Sequence, residues 1–223
     1  KKNQVIFHNE KCNNKKIIEN VINNFLTKKN SFIFESVEKR RIKGRYTIIG
    51  ADPDKIWEFN KKKIYLFEND RKKIIKGIPY IFLKKLIKNF NFPLPRNLPP
   101  LCSLLVGYFS YDIIRYIEKV PDECLDDLKI PDIRLMRPKT LIIHDNLLKK
   151  IYFIINCFAE EKITDYKKYY LNQIQKINFL KNLTFDYGYQ NRVKIKENKN
   201  IKIKSNISRN QFNKIVKKAK NYI

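Results

Sequence analysis

The sequence predicts an α+β fold: antiparallel strands forming a sandwich-like pair of sheets, with helices packed outside. Three observations carry this. The spacing of apolar residues changes from helical to alternating near residue 31 and returns to helical near residue 79. The alternating stretches are short, rich in β-branched and aromatic residues, and bounded by turn residues. At 223 residues, 43% of them hydrophobic, the chain can bury a substantial core. No apolar run approaches the roughly 18 residues of a membrane span.

Lys15 to Lys28 reads as an amphipathic helix, with Ile17, Ile18, Val21, Ile22, Phe25 and Leu26 on one face. Ser31 to Val37 reads as a strand. Arg45 to Ile49 reads as another, closed by Gly50 and the turn Asp52-Pro53-Asp54. Lys55 to Asn60 and Lys63 to Glu68 form a predicted hairpin, and Lys72 to Lys76 adds a strand. Pro79 to Asn89 is helical, with Pro79 suited to the first turn. The proline-rich stretch from Phe92 to Pro100 is a connection. Leu101 to Phe109 is expected as a buried strand, and Asp112 to Ile117 as a short helix. Arg134 to Met136, Thr140 to His144 and Lys150 to Cys157 are three further strands, followed by a helix over Ile163 to Leu180. Asn191 to Lys204 is a Lys/Asn-rich linker. Ser208 and Gln211 have capping-box spacing, and Phe212, Ile215, Val216, Ala219 and Ile223 line the helix that follows. That helix is still running at the last residue, and the chain has no initiator Met, so the sequence is expected to be processed or incomplete.

The net charge is +26, but only 10 of the 48 basic residues are Arg, and they are scattered from end to end. Abundant Lys, Asn and Ile are what an A+T-rich coding sequence produces, and exposed Lys costs little stability. A specific nucleic-acid surface would concentrate Arg, which gives bidentate contacts. No specific nucleic acid and no membrane is therefore expected as a partner. Cys12, Cys102, Cys124 and Cys157 form no C-x-x-C pair and there are two His, which leaves a zinc site unsupported and points to a reducing, cytoplasmic setting. The N-terminus leads into no apolar signal segment.

No nucleophile constellation or phosphate-binding glycine loop is present. Three segments place polar groups among apolar ones. In Phe34-Glu35-Ser36, a carboxylate and a hydroxyl lie beside large apolar groups on a strand. Such a pair can bind an ammonium ion and a polar rim of a small ligand, or it can be the wet face of an edge strand. Arg45 opens the next strand and can reach a carboxylate or Glu35 itself; an ordinary surface Arg is the alternative. In Gly107-Tyr108-Phe109-Ser110-Tyr111-Asp112, followed by Arg115 and Glu118, the glycine reads as a bulge or a close backbone approach. The alternative there is a core strand with tyrosines at its end.

Taken in order, these segments resemble the N-terminal region of the large subunit of anthranilate synthase, component I. Residues 31–38 are similar to that family's "S-F-L-L-E-S-V-E". Residues 44–53 resemble "G-R-Y-S-F-I-G-x-D-P", and residues 106–118 resemble "V-G-Y-F-S-Y-D-x-x-R-x-x-E". Pro131-Asp132 and the strand Thr140 to Asp145 also fit. Ser205 to Phe212 looks like the "S-N-F-S-R-E-E-F" that opens the catalytic domain.

The resemblance implies an enzyme, a carbon–oxygen lyase of tryptophan biosynthesis. It converts chorismate and glutamine-derived ammonia to anthranilate and pyruvate, with the ammonia supplied by a glutamine amidotransferase subunit. It implies that residues 1–200 are the tryptophan-regulatory domain and that residues 201–223 lead into the chorismate-binding domain. The catalytic residues and the Mg²⁺ site would lie in that domain, outside this sequence. Here it implies half of an L-tryptophan feedback site, with Ser36 bonding the bound amino acid, Glu35 holding its ammonium or ordering the loop, and Arg45 near the pocket. The folate-pathway relative aminodeoxychorismate synthase shares this region, and a non-catalytic tryptophan- or nucleic-acid-binding module is the reading from another class.

Overall fold

The computed structural model describes residues 2–25, 28–35, 44–90, 92–123, 125–185 and 204–222. The chain divides into two compact units, Lys1–Asn191 and Arg192–Ile223.

The first unit is built on one eight-stranded sheet. Its strands are β1 (Gln4–Lys11), β2 (Phe32–Phe34), β3 (Tyr46–Asn60), β4 (Lys63–Glu68), β5 (Arg71–Ile75), β6 (Val106–Phe109), β7 (Ile133–Asp145) and β8 (Lys150–Cys157). The order is β1-β8-β7-β3-β4-β5, with β2 added to β3 and β6 to β7. Each pairing is antiparallel. Helices α1 (Lys15–Phe25), α2 (Pro79–Asn89) and α3 (Tyr166–Phe185) cover it. No helix among the described residues is long and apolar enough to cross a membrane.

The expected antiparallel α+β class is observed, but the sandwich-like character comes from bending one sheet. Sequence patterning separates Arg45–Ile49 from Lys55–Asn60, whereas the structure runs both into β3. The register slips between Pro53 and Lys55, and Asp52 takes a left-handed φ of 52°. Such a bulge bends a strand without ending it. Arg134–Met136 and Thr140–His144 likewise belong to the single strand β7. Prolines at 53 and 138 sit opposite one another at the bend, which explains why local patterning reads a break there.

Three apolar clusters hold the unit together. On one face, α1 and α3 place Ile17, Val21, Phe25, Ile177 and Leu180 against Ile49, Ile142, Phe153 and Ile155. On the opposite face Ile48, Leu141, Ile143, Tyr152 and Ile154 pack with Cys102 and Phe32. Strands β7 and β8 are therefore covered on both faces, and their apolar runs are nearly continuous. Beyond the bend, Trp57, Phe59, Ile64, Ile133 and Leu135 meet Phe82, Leu83 and Leu86 of α2.

Three further differences from the sequence reading have local causes. Strand β1 was not anticipated, because Val5, Ile6 and Phe7 are contiguous and show no period; pairing with β8 makes the strand. Leu101–Phe109 is not one buried strand. Leu101 takes a left-handed φ of 69° and Cys102 Sγ bonds the Pro99 carbonyl, so only Val106–Phe109 pairs. Gly107, Tyr108 and Phe109 are exposed. Helix α3 begins at Tyr166 and not at Ile163, because the Asp165 carboxylate accepts from Lys168 N at 2.9 Å, an N-cap.

The second unit carries α4 (Arg209–Lys220). Its expected capping box is present: Ser208 Oγ accepts from Gln211 N at 3.3 Å, and Gln211 Oε1 accepts from Ser208 N at 2.9 Å. Phe212 and Ile215 are exposed on it. The 200/201 domain boundary expected from sequence lies outside the described residues.

Candidate functional site

The edge strand β2 alternates as its sequence requires. Phe32 and Phe34 share one face and Ile33 takes the other. Phe32 lies over Gly50, where a Cβ would meet its ring at 2.2 Å, so the glycine is a close-approach position on β3. Phe34 packs at a tilt against Phe32, with centroids 5.1 Å apart, yet remains 49% exposed. Glu35 follows directly and is exposed. Ser36 lies outside the described residues. The sheet edge thus exposes an aromatic ring at Phe34, and the residue that follows it carries an exposed carboxylate.

Arg45 enters β3 three residues before Ile48, the partner of Phe34. The sequence left its partner open between Glu35 and another carboxylate; the partner is Asp145, at the end of β7. Arg45 Nε donates to Asp145 Oδ1 at 3.0 Å and Nη2 to Oδ2 at 2.6 Å. The guanidinium also lies 4.9 Å from the Tyr46 ring centroid. Asp145 Oδ1 further accepts from Leu147 N and Leu148 N, at 2.9 and 3.0 Å. Burial opposes ionisation of Asp145, but Arg45 and the two amides outweigh it and hold its pKa below the ordinary value. This clamp ties the start of β3, and with it the edge beside β2, to the β7–β8 turn.

Asp145→Ala is expected to cost roughly 2 kcal/mol, because two amides and a guanidinium lose their acceptor. A lowered carboxylate pKa stabilises at pH values above the unfolded value and is lost as pH falls through the folded one. The deficit measured in urea titrations should therefore shrink as pH drops below 3.8. A constant deficit across that range would contradict the assignment.

The glycine of the second segment is also a close approach. A Cβ on Gly107 would stand 1.8 Å from the Arg134 carbonyl oxygen. Beyond β6, residues Tyr111–Tyr116 form a 3₁₀ turn, and Tyr116 Oη donates to Asp132 Oδ2 at 2.8 Å. Asp132 also accepts from Lys61 N at 2.7 Å. Asp112 and Arg115 form an ion pair beside them. These residues line a cleft of about 480 Å³.

Sequence reasoning missed a third cluster. Arg137, buried on β7, donates to Asp54 at 2.9 and 2.5 Å and to Glu160 at 2.9 Å. Its guanidinium lies 3.8 Å from the Phe158 ring centroid. Lys55 pairs with both Glu160 and Glu68. Burial works against the Glu160 charge, but Arg137 and Lys55 bring its pKa down to about 2. The one signal available was Asp54, next to the proline of the bend.

Among the described residues, no group of three His, Cys, Asp or Glu side chains could hold a metal ion. His144 is used structurally, its Nε2 lying 3.2 Å from the Cys12 carbonyl oxygen.

Comparison with known proteins adds the context. The family model described as "chorismate binding enzyme" matches residues 29–223. Anthranilate synthase component 1 of Acetivibrio thermocellus is 30% identical over 198 residues, covering 86% of this chain and 40% of the relative. The protein of that name from Cereibacter sphaeroides is 27% identical, covering 86% of this chain and 39% of its own length. A solved structure, anthranilate synthase component I from Streptococcus pneumoniae TIGR4, overlaps 68% of this chain and 33% of its own at 20% identity, with a TM-score of 0.47. The chain thus spans about 40% of the length of these curated relatives.

Proposed function

This chain belongs to the chorismate-binding enzyme family, and from that premise we propose that it is the N-terminal, tryptophan-regulatory part of an anthranilate synthase large subunit. The observation that carries the reading is the 30% identity to anthranilate synthase component 1 over 198 residues. In this reading the whole enzyme converts chorismate and ammonia to anthranilate, pyruvate and water, and a glutamine amidotransferase subunit releases the ammonia from glutamine. Residues 1–200 form the regulatory domain, and 201–223 lead into the chorismate-binding domain. The described residues supply no catalytic acid, base or metal ligand to the reaction; Mg²⁺ would be held elsewhere in the whole enzyme.

The role of these residues is then allosteric. L-tryptophan binds one domain arrangement better than the other and shifts the population toward the less active one. Ser36 donates to or accepts from the bound amino acid, and Glu35 faces its ammonium. The exposed Phe34 and the exposed Glu35 that follows it support this, as an aromatic amino acid needs both an apolar contact and a charge for its ammonium. Arg45 acts by holding the start of β3 against Asp145.

In the complete enzyme, Ser36→Ala and Glu35→Ala are each expected to raise the tryptophan concentration for half-inhibition by roughly tenfold or more, the effect of losing a hydrogen bond to a charged group. Uninhibited turnover should stay within about twofold, since neither residue meets chorismate in this reading. Anthranilate fluorescence reads both quantities. Inhibition equal to that of the parent enzyme would refute the tryptophan site, and an aminodeoxychorismate product would move the chain to the folate-pathway relative.

A further inference from the structure

A second cavity, of about 460 Å³, lies where the N-terminus of α3 meets the ends of β1 and β8. No residue of the β2 edge lines it. Its walls include Ile6, Phe158, Tyr169 and Tyr170, with Glu161 and Lys2 as charged groups. Phe158 is buried and held between the Arg137 guanidinium and an edge-on Phe92 ring, with centroids 5.8 Å apart. Tyr170 is 52% exposed, so an aromatic face borders the opening.

The polar wall is fixed. Glu161 Oε1 accepts from Phe158 N at 2.9 Å, and Oε2 accepts from Tyr169 Oη at 3.0 Å and from Lys139 Nζ at 2.7 Å. Tyr169 is itself anchored by its place in the first turn of α3, where its N–H meets the Asp165 carbonyl at 3.0 Å. A carboxylate has about four acceptor positions, and three are filled. Among the described residues one acceptor position of Glu161, on Oε1, is thus unfilled, in a cavity wall ordered by its own hydrogen bonds.

We propose that this cavity is a binding site for a small, neutral, planar aromatic molecule bearing one N–H or O–H donor. The ring stacks on the half-exposed Tyr170, and the donor reaches the open position of Glu161. Charge decides the class. A cationic ligand would compete with Lys139, which already neutralises Glu161. A carboxylate would set acceptor oxygens against the acceptor oxygens of Glu161, even where it met Lys2. A saturated ring would fill the space but forfeit the stacking energy.

The test is ligand-observed saturation-transfer NMR on the full chain, with indole and phenol as probes and cyclohexanol and benzoate as controls. Indole and phenol should show saturable binding, with the two controls weaker. Tyr170→Ala, at a half-exposed position, should weaken indole binding by roughly three- to tenfold, the value of one aromatic pair. Tyr170→Phe should restore it. Unchanged Trp57 emission in both variants confirms that the fold is intact. Absence of saturable indole binding in the millimolar range, cyclohexanol binding equal to indole, or unchanged affinity in Tyr170→Ala would overturn the assignment. The readout is binding and not turnover, so its failure leaves the regulatory reading untouched.

Discussion

Arg137→Met is expected to destabilise the first unit by about 3 kcal/mol, at the low end of the roughly 3–5 kcal/mol for breaking a buried ion pair. Met keeps much of the packing against Phe158 and leaves Asp54 and Glu160 without their guanidinium. The lower end applies because the Glu160 side chain is 56% exposed and keeps much of its hydration. The Arg137 side chain is itself 8% exposed and bridges the bend of β3 to the chain following β8. The damage should therefore concentrate at the bend, where Trp57 lies 5.9 Å from the guanidinium and reports it by fluorescence. Arg137→Lys should recover only part of the loss, since a point charge cannot make the bidentate contact with Asp54.

The pH dependence has a definite sign. Glu160 is held at about 2 against an ordinary value of 4.5, so its contribution is complete above pH 4.5 and is lost as pH falls toward 2. In Arg137→Met part of that depression disappears. The stability gap between parent and variant should accordingly be widest at neutral pH and narrow between pH 4.5 and 2. Urea unfolding followed at several pH values measures this directly. A gap that stays the same at pH 3 and pH 7 would mean that Arg137 acts by packing alone.

Gly107→Ala is expected to detach β6 from β7 and cost about 2–3 kcal/mol, the upper part of the usual range for overpacking. The new Cβ would meet the Arg134 carbonyl oxygen at 1.8 Å, its carbon at 2.8 Å and Leu135 Cα at 3.0 Å. All three are backbone atoms of the central strand β7, which is paired on its other side with β3. No side chain can rotate away to make room, so β6 must move. Buried Val106 and the Ser110 N–H bond to the Asp132 carbonyl (2.8 Å) would go with it. Hydrogen exchange should show residues 106–110 losing protection while β8 retains its own. Exchange unchanged from the parent, with a stability loss under about 0.5 kcal/mol, would show that the strand pair tolerates a methyl group there.

How much of this was legible varies by element. Helix α2, the hairpin β3–β4 and the capping box of α4 follow from residues close in sequence, and they appear where patterning put them. Gly107 read as a bulge, a close backbone approach or part of a core strand; the structure makes it a close approach, on a strand that is exposed and shorter than expected. Strand β1 was unreadable because its three contiguous apolar residues carry no period. Of the three tryptophan-site candidates, Glu35 is exposed at the β2 edge, Arg45 is engaged with Asp145, and Ser36 falls outside the described residues.

By itself the sequence determined the α+β class, the amphipathic faces of α1 and α4 and the motifs that resemble the family. Each depends on spacings of a few residues, where helical or alternating periodicity and turn chemistry act directly. Only the tertiary structure decided that β3 and β7 each run unbroken through a bend, that Arg45 meets Asp145 across 100 residues of sequence, and that Arg137 gathers Asp54 and Glu160. Those outcomes are set by the register between strands far apart in the chain. Many carboxylates are available to each arginine, and a shift of one residue in that register would present a different one.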